Sequence, residues 1–115
     1  FEANLNNWKP NHKVDIIYSM EVIYYLKDPQ NFIKQCYKKW LKPNGLFIAG
    51  IDHYKENTPS LSWAESLKVR MQTHSINEWK EFLIKGQFKN SNIKQVNKNK
   101  DWQGTLIFWG RKNDV

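Results

Sequence analysis

The sequence predicts an α/β fold: a βαβ crossover of two parallel strands, a further helix and a terminal antiparallel β-hairpin. Three observations predict it. Two short apolar segments rich in β-branched residues, 14–19 and 46–51, flank a helical stripe that starts at proline, the pattern of a parallel crossover unit. A capping motif at Ser75 opens a second amphipathic stripe. Two late apolar runs, 93–96 and 105–110, are joined by a polar turn and so pair as a hairpin.

Each element has a local reason. Residues 1–5 read as the tail of a strand or a short loop, and 6–13 have the Asn, Pro and Lys content of a connection. Residues 14–19 lack polar alternation and predict a central parallel strand covered on both faces. Residues 21–26 give a single turn of helix. Asp28 offers an N-cap oxygen ahead of Pro29, whose missing N–H costs nothing at the first helical position. Phe32, Ile33, Cys36, Tyr37 and Trp40 then share one face, with Lys34, Lys38 and Lys39 outward. Pro43-Asn44-Gly45 ends this crossover helix and turns the chain into the second parallel strand. From 52 to 73 the pattern is irregular, with a break at Thr58-Pro59-Ser60 and a short helix around 61–68; loops of such length usually have a task. Ser75 and Glu78 form a capping box, Ile76, Trp79, Phe82 and Leu83 the buried stripe, and Gly86 a left-handed C-cap.

Composition narrows the classes. A chain of 115 residues makes one domain, and six Trp, six Phe and five Tyr supply large side chains for its core. No apolar run approaches the roughly 18 to 20 residues that cross a bilayer, so no membrane partner is expected. One cysteine, Cys36, allows no internal disulfide and points to a reducing, cytoplasmic setting. The net charge of +7 comes from lysines spread along the whole chain, without a zinc finger, basic zipper or RNA-binding motif, so specific nucleic-acid binding is not expected. The chain starts at Phe1, and its first strand arrives with no earlier element to pack on, which suggests an upstream segment.

Parallel strands carry binding groups at their carboxyl ends. Here those ends hold Ser19, Met20 and Glu21 on one strand and Asp52, His53 and Tyr54 on the next. Ser19-Met20-Glu21 has two readings, a cofactor-lining loop or a helix cap with a core methionine. Of the adjacent rings Tyr24 and Tyr25, one faces the core and the other the cleft. Asp52-His53-Tyr54-Lys55-Glu56 gathers an acid, an imidazole and a phenol, which serve either as a site with His53 as general base or as a polar loop that contains histidine. His12, His53 and His74 are scattered without a ligand pair at helical spacing, so no metal is expected. Neither a Cys–His pair nor a Gly-x-Ser-x-Gly motif is present. The five glycines form no phosphate-binding cluster.

With these motifs in place, the chain resembles the C-terminal half of a class I S-adenosylmethionine-dependent methyltransferase. In that family a strand reading roughly Asp-x-Ile-x-Ser is followed by Glu-Val-Leu-Glu-His-Leu, an Asp-Pro helix start and Leu-Lys-Pro-Gly-Gly. This chain shows Asp15-Ile-Ile-Tyr-Ser19, Glu21-Val-Ile-Tyr-Tyr-Leu26, Asp28-Pro29 and Leu41-Lys-Pro-Asn-Gly45. Glu78-Trp79, Gly86-Gln-Phe88 and Gly104-Thr-Leu-Ile107 extend the likeness to the final helix and hairpin. The resemblance implies a partial Rossmann-like methyltransferase fold over residues 1–115, the N-terminal cofactor-binding half being absent, and S-adenosylmethionine as cofactor. It implies that Asn4 and Leu5 contact adenine, and that Ser19, Met20 and Glu21 lie beside the methionine portion. Tyr25 stands where many relatives have histidine. Asp52, His53, Tyr54 and Glu56 fall in the region relatives use for a small-molecule or other methyl acceptor, with His53 deprotonating it. The family's first strand and glycine-rich turn have no counterpart in this sequence, so the chain alone is expected to be weak or inactive. The strand at 14–19 would then present an unpaired apolar edge, open to self-association, to a missing N-terminal segment or to a partner of a non-catalytic interaction module.

Overall fold

The computed structural model describes residues 11–113. Strand β1 (Val14–Met20) is followed by a 3₁₀ turn (Ile23–Tyr25), helix α1 (Pro29–Gln35) with a π-helical turn (Cys36–Trp40), and strand β2 (Leu41–Ile51). A second 3₁₀ turn (Thr58–Ser60), α2 (Trp63–Leu67), α3 (Ile76–Lys85), β3 (Lys89–Val96) and β4 (Thr105–Arg111) complete the chain. The strands form one sheet in the order β1-β2-β4-β3. β1 and β2 run parallel, whereas β4 is antiparallel to both β2 and β3.

Local chemistry starts both principal helices as the sequence predicts. The Asp28 side chain accepts from the Asn31 N–H at 3.0 Å, with Pro29 at the first helical position. Ser75 and Glu78 complete a reciprocal capping box, with bonds of 3.1 and 2.9 Å. α1 and α3 lie on one face of the sheet. Phe32 and Ile33 of the first, and Trp79 and Leu83 of the second, enclose Ile17, Phe47, Ala49, Ile51, Leu106 and Phe108 in a single core. Trp79 stacks on Phe108 with ring centroids 5.5 Å apart.

The opposite face stays open among the described residues. Register places Ile16, Tyr18, Leu46, Ile48, Ile107 and Trp109 together there, with Ile16 60% and Tyr18 65% exposed. A groove of about 380 Å³ runs between Leu46, Ile48, Ile107 and Trp109, rimmed by Lys94 and Arg111.

Three expectations are corrected. β1 is not covered on both faces as a central strand would be: among the described residues it is an edge strand, in line with the unpaired edge expected of it, and only its Ile17 is buried. Pro43-Asn44-Gly45 does not separate helix from strand. It is an irregularity inside β2, where the step from Val14 to Ile16 on β1 is matched by the step from Leu41 to Leu46. The carboxyl-terminal tail fastens it: the Lys112 N–H donates to Gly45 O at 2.9 Å, and Lys112 Nζ donates to the Leu41 carbonyl at 2.9 Å. Finally, Gly86 keeps right-handed backbone (φ −75°), and Gln87 takes the left-handed position (φ 75°). Gly86 serves close packing instead, since a Cβ there would come within 3.2 Å of Ile33 Cγ2.

Candidate functional site

β1 and β2 end side by side. Ser19 pairs with Ala49 and Met20 with Gly50, and the Glu21 N–H continues the ladder to Gly50 O at 2.8 Å. β4 begins at the same end, where the Thr105 hydroxyl donates to Asp52 Oδ1 at 2.6 Å. Ser19 and Asp52 therefore share one rim of the sheet.

Glu21 turns the chain out of β1 with a left-handed backbone (φ 59°), a conformation that costs about 1–2 kcal/mol for a residue with a Cβ. Its Oε2 accepts from the Tyr24 hydroxyl at 2.8 Å, while Oε1 is buried with no hydrogen-bond partner. Burial pushes the Glu21 carboxyl above its ordinary value and the Asp52 charge adds to it, while the Tyr24 hydroxyl and the Asp52 backbone amide oppose the shift. The same contact and its own burial push the Tyr24 hydroxyl upward, so it remains a donor.

His53 lies beneath this rim. It is 1% exposed, packed between the rings of Tyr24 (centroids 5.4 Å) and Trp63 (6.1 Å). Nδ1 sits 2.9 Å from the Ser60 carbonyl and Nε2 sits 2.7 Å from Thr73 Oγ1. A carbonyl only accepts, so Nδ1 carries the proton and Nε2 accepts from the threonine hydroxyl. Burial lowers the imidazole pKa, and the Ser60 contact works against that. The loop carrying Thr73 is fixed by Gln72 N–H to Tyr24 O at 2.6 Å and by Lys55 N–H to His74 O at 2.9 Å.

The expected site residues divide accordingly. Ser19, Met20, Glu21 and Asp52 converge at the strand ends, and Met20 lies over Gly50, where an added Cβ would meet its sulfur at 2.5 Å. Tyr25 is 40% exposed and lies against Tyr24, with centroids 4.6 Å apart, so Tyr24 faces inward and Tyr25 outward. Asn4 and Leu5 lie outside the described residues. The rim position expected for His53 is corrected, because its ring is enclosed. Tyr54 is also enclosed; its hydroxyl lies 2.9 Å from Gln103 O and 2.8 Å from Gly104 O, so it locks the turn before β4 in place of facing an acceptor. Glu56 accepts from the Ile76 N–H at 3.0 Å and supplements the cap of α3. Sequence reasoning missed two residues. Asn57, fully buried, ties the loop together by donating to Asp52 O at 2.8 Å and accepting from the Gln103 N–H at 3.2 Å. Thr73 sits in an aperiodic stretch where no pattern marks it.

Comparison with known proteins bears on the fold that positions these residues. A family model described as a methyltransferase domain matches residues 3–49. No curated protein matches the chain. Among solved structures, the complex of the Haloferax volcanii Trm112 methyltransferase activator with a protein described as a methyltransferase superposes with a TM-score of 0.81 at 22% identity, covering 96% of this chain and 59% of that one. An S-adenosylmethionine-dependent methyltransferase of Thermotoga maritima gives 0.77 at 17%, covering 98% and 63%. The N-methyltransferase NodS of Bradyrhizobium japonicum, bound to S-adenosylhomocysteine, gives 0.65 at 17%, covering 96% and 52%. The chain thus spans about three fifths of the first two structures. Its mixed α/β fold is part of the Rossmann-like fold of class I S-adenosylmethionine-dependent methyltransferases, as its sequence motifs suggest.

Proposed function

We propose that this chain is the C-terminal portion of an S-adenosylmethionine-dependent methyltransferase domain, and that the complete domain transfers a methyl group to an acceptor held over the carboxyl ends of β1 and β2. The observation that carries this reading is the Glu21 carboxylate. It stands at the strand ends in a strained backbone, with one buried oxygen lacking a donor, and an ammonium such as that of the cofactor's methionine portion would satisfy it. Ser19 and Met20 flank the same position, and Tyr25 offers an exposed ring beside it. Asn4 and Leu5 are assigned to the adenine end on the family resemblance alone.

When bound, S-adenosylmethionine supplies an electrophilic methyl group on a sulfonium. The chain's own part is to orient: Glu21 fixes one end of the cofactor, and Asp52 at the head of the neighbouring strand faces the acceptor, so proximity and alignment carry most of the rate. Tyr54 shapes the acceptor loop from within, and Glu56 ties it to the start of α3. Calorimetric titration of the complete domain with S-adenosylmethionine and S-adenosylhomocysteine tests the assignment. Binding of both, abolished in Glu21→Ala, is expected; equal heats for wild type and variant would overturn the role of Glu21.

A second reading is favoured by a different observation. Among the described residues, the unpaired edge of β1 and the open apolar face beside it suit a non-catalytic module that docks a companion chain. Silence in the calorimeter, together with association through that edge, would favour it.

A further inference from the structure

We propose that Thr73 receives the proton of the methyl acceptor and relays it to His53, and that the acceptor is therefore a group that must give up a proton to be methylated, a hydroxyl foremost. This deepens the reading above and rests on it.

The geometry separates the base from the place where it acts. His53 is enclosed and touches no solvent-facing cleft, yet a base of this kind is useful only if a proton can reach it. Thr73 provides the route. Its residue is exposed, while its hydroxyl sits 2.7 Å from Nε2. The Ser60 carbonyl holds Nδ1–H at 2.9 Å, which leaves the Nε2 lone pair aimed at Thr73. The rest of the cluster belongs to the same rim. Tyr24 packs on the imidazole and bonds Glu21, and Gln72, the neighbour of Thr73, is tied to the Tyr24 carbonyl. A purely structural pairing needs only a buried threonine; here the residue is exposed, and its hydroxyl reaches in to Nε2 from a loop fastened on both sides.

The proton bookkeeping closes. As the acceptor oxygen gains the methyl group, its O–H bond breaks and that proton joins Thr73 Oγ1. The proton already on Oγ1 passes to Nε2, and the positive charge lost from the sulfonium, whose sulfur keeps the C–S electron pair, reappears as imidazolium. Water later removes it along the same path. A neutral amine brings its own lone pair and gains nothing from this arrangement before transfer, whereas an ammonium, like a hydroxyl, must first give up a proton to it.

An activated hydroxyl is also a nucleophile, so the pair can be tested on this chain without cofactor. With p-nitrophenyl acetate, Thr73 Oγ1 would attack the carbonyl carbon, its proton would move to Nε2, and p-nitrophenolate would leave with the bonding pair. Peptide mass spectrometry compares acetylation of Thr73 with that of Thr58, an exposed threonine with no base beside it. We expect Thr73 to be labelled at least about tenfold faster, Thr73→Ser to retain the advantage, and His53→Gln to remove it. Equal labelling of the two threonines in the wild type overturns the relay, even if His53→Gln fails to fold. Undiminished labelling in a folded His53→Gln variant overturns it as well. Fast Thr73 labelling with no calorimetric cofactor binding by the complete domain would leave the pair standing and reject the methyltransferase reading; cofactor binding with ordinary Thr73 reactivity would do the reverse.

Discussion

The Tyr24 hydroxyl donates to Oε2 of Glu21 at 2.8 Å, and the other oxygen of that carboxylate is left enclosed without a donor. The pair is therefore half-satisfied, and a half-satisfied buried carboxylate destabilises the fold that holds it.

A pH dependence follows. The Glu21 carboxyl titrates above its ordinary value of 4.5 in the folded state, chiefly through burial. Just above that ordinary value the native protein holds a proton that the unfolded chain has released. Stability therefore falls as pH rises through this window, and the cost persists at neutral pH. Glu21→Gln should raise the urea midpoint at pH 7 and leave it nearly unchanged at pH 4. A lower midpoint for the variant at pH 7 would mean that the carboxylate is stabilising. A residue whose removal strengthens the fold is retained for what it binds.

The open edge of β1 gives a second prediction. Ile16 and Tyr18 are 60% and 65% exposed on a strand with no neighbour on one side among the described residues, and such an edge recruits another strand. Sedimentation velocity should show association that grows with concentration. Tyr18→Lys should shift the distribution to monomer without loss of helical circular dichroism. A wild type that stays monomeric over a wide concentration range would contradict this.

Much of this fold was legible in the sequence where one local rule dominates. Asp28 and Pro29 start α1, and Ser75 with Glu78 starts α3, because caps are decided by a few adjacent atoms. The shared rim of Ser19 and Asp52 follows from two parallel apolar runs. What escaped depends on distant partners. The exposure of Ile16 is set by what lies beside β1, and the residues of β3 before Ile93 are polar and become strand through pairing with β4. His53 showed its chemistry but not its depth, because the rings of Tyr24 and Trp63 that enclose it come from elsewhere in the chain. Thr73 matters only through a contact twenty residues away in sequence.

The irregularity in β2 makes opposite predictions for adjacent residues. A Cβ on Gly45 would meet Lys42 O and Leu41 Cδ2 at 2.8 Å, and the segment cannot yield because the Lys112 N–H holds Gly45 O. Gly45→Ala should cost about 1–3 kcal/mol in urea denaturation, the usual scale for overpacking. Asn44 has φ 66°, so Asn44→Gly relieves left-handed strain and should gain up to about 1 kcal/mol. If both substitutions proved neutral, the tail would not be clamping this loop.

Trp79 sets two terms against each other at the centre of the core. It is fully enclosed, stacked on Phe108 and edge-on to His74 and Phe82 at 5.3 Å each, yet its indole N–H is buried with no acceptor. Truncation to Ala removes the whole ring and should cost about 3–5 kcal/mol. Trp79→Phe keeps most of the stacking and also deletes the unsatisfied donor, whose burial costs about 1–3 kcal/mol. The cavity left by the smaller ring works in the other direction. The net loss should therefore be no more than about 1–2 kcal/mol, well below that of the alanine variant. Urea denaturation of the two variants decides it: comparable losses would show that the N–H finds a partner, such as an internal water, and that its bond is worth as much as the ring's packing.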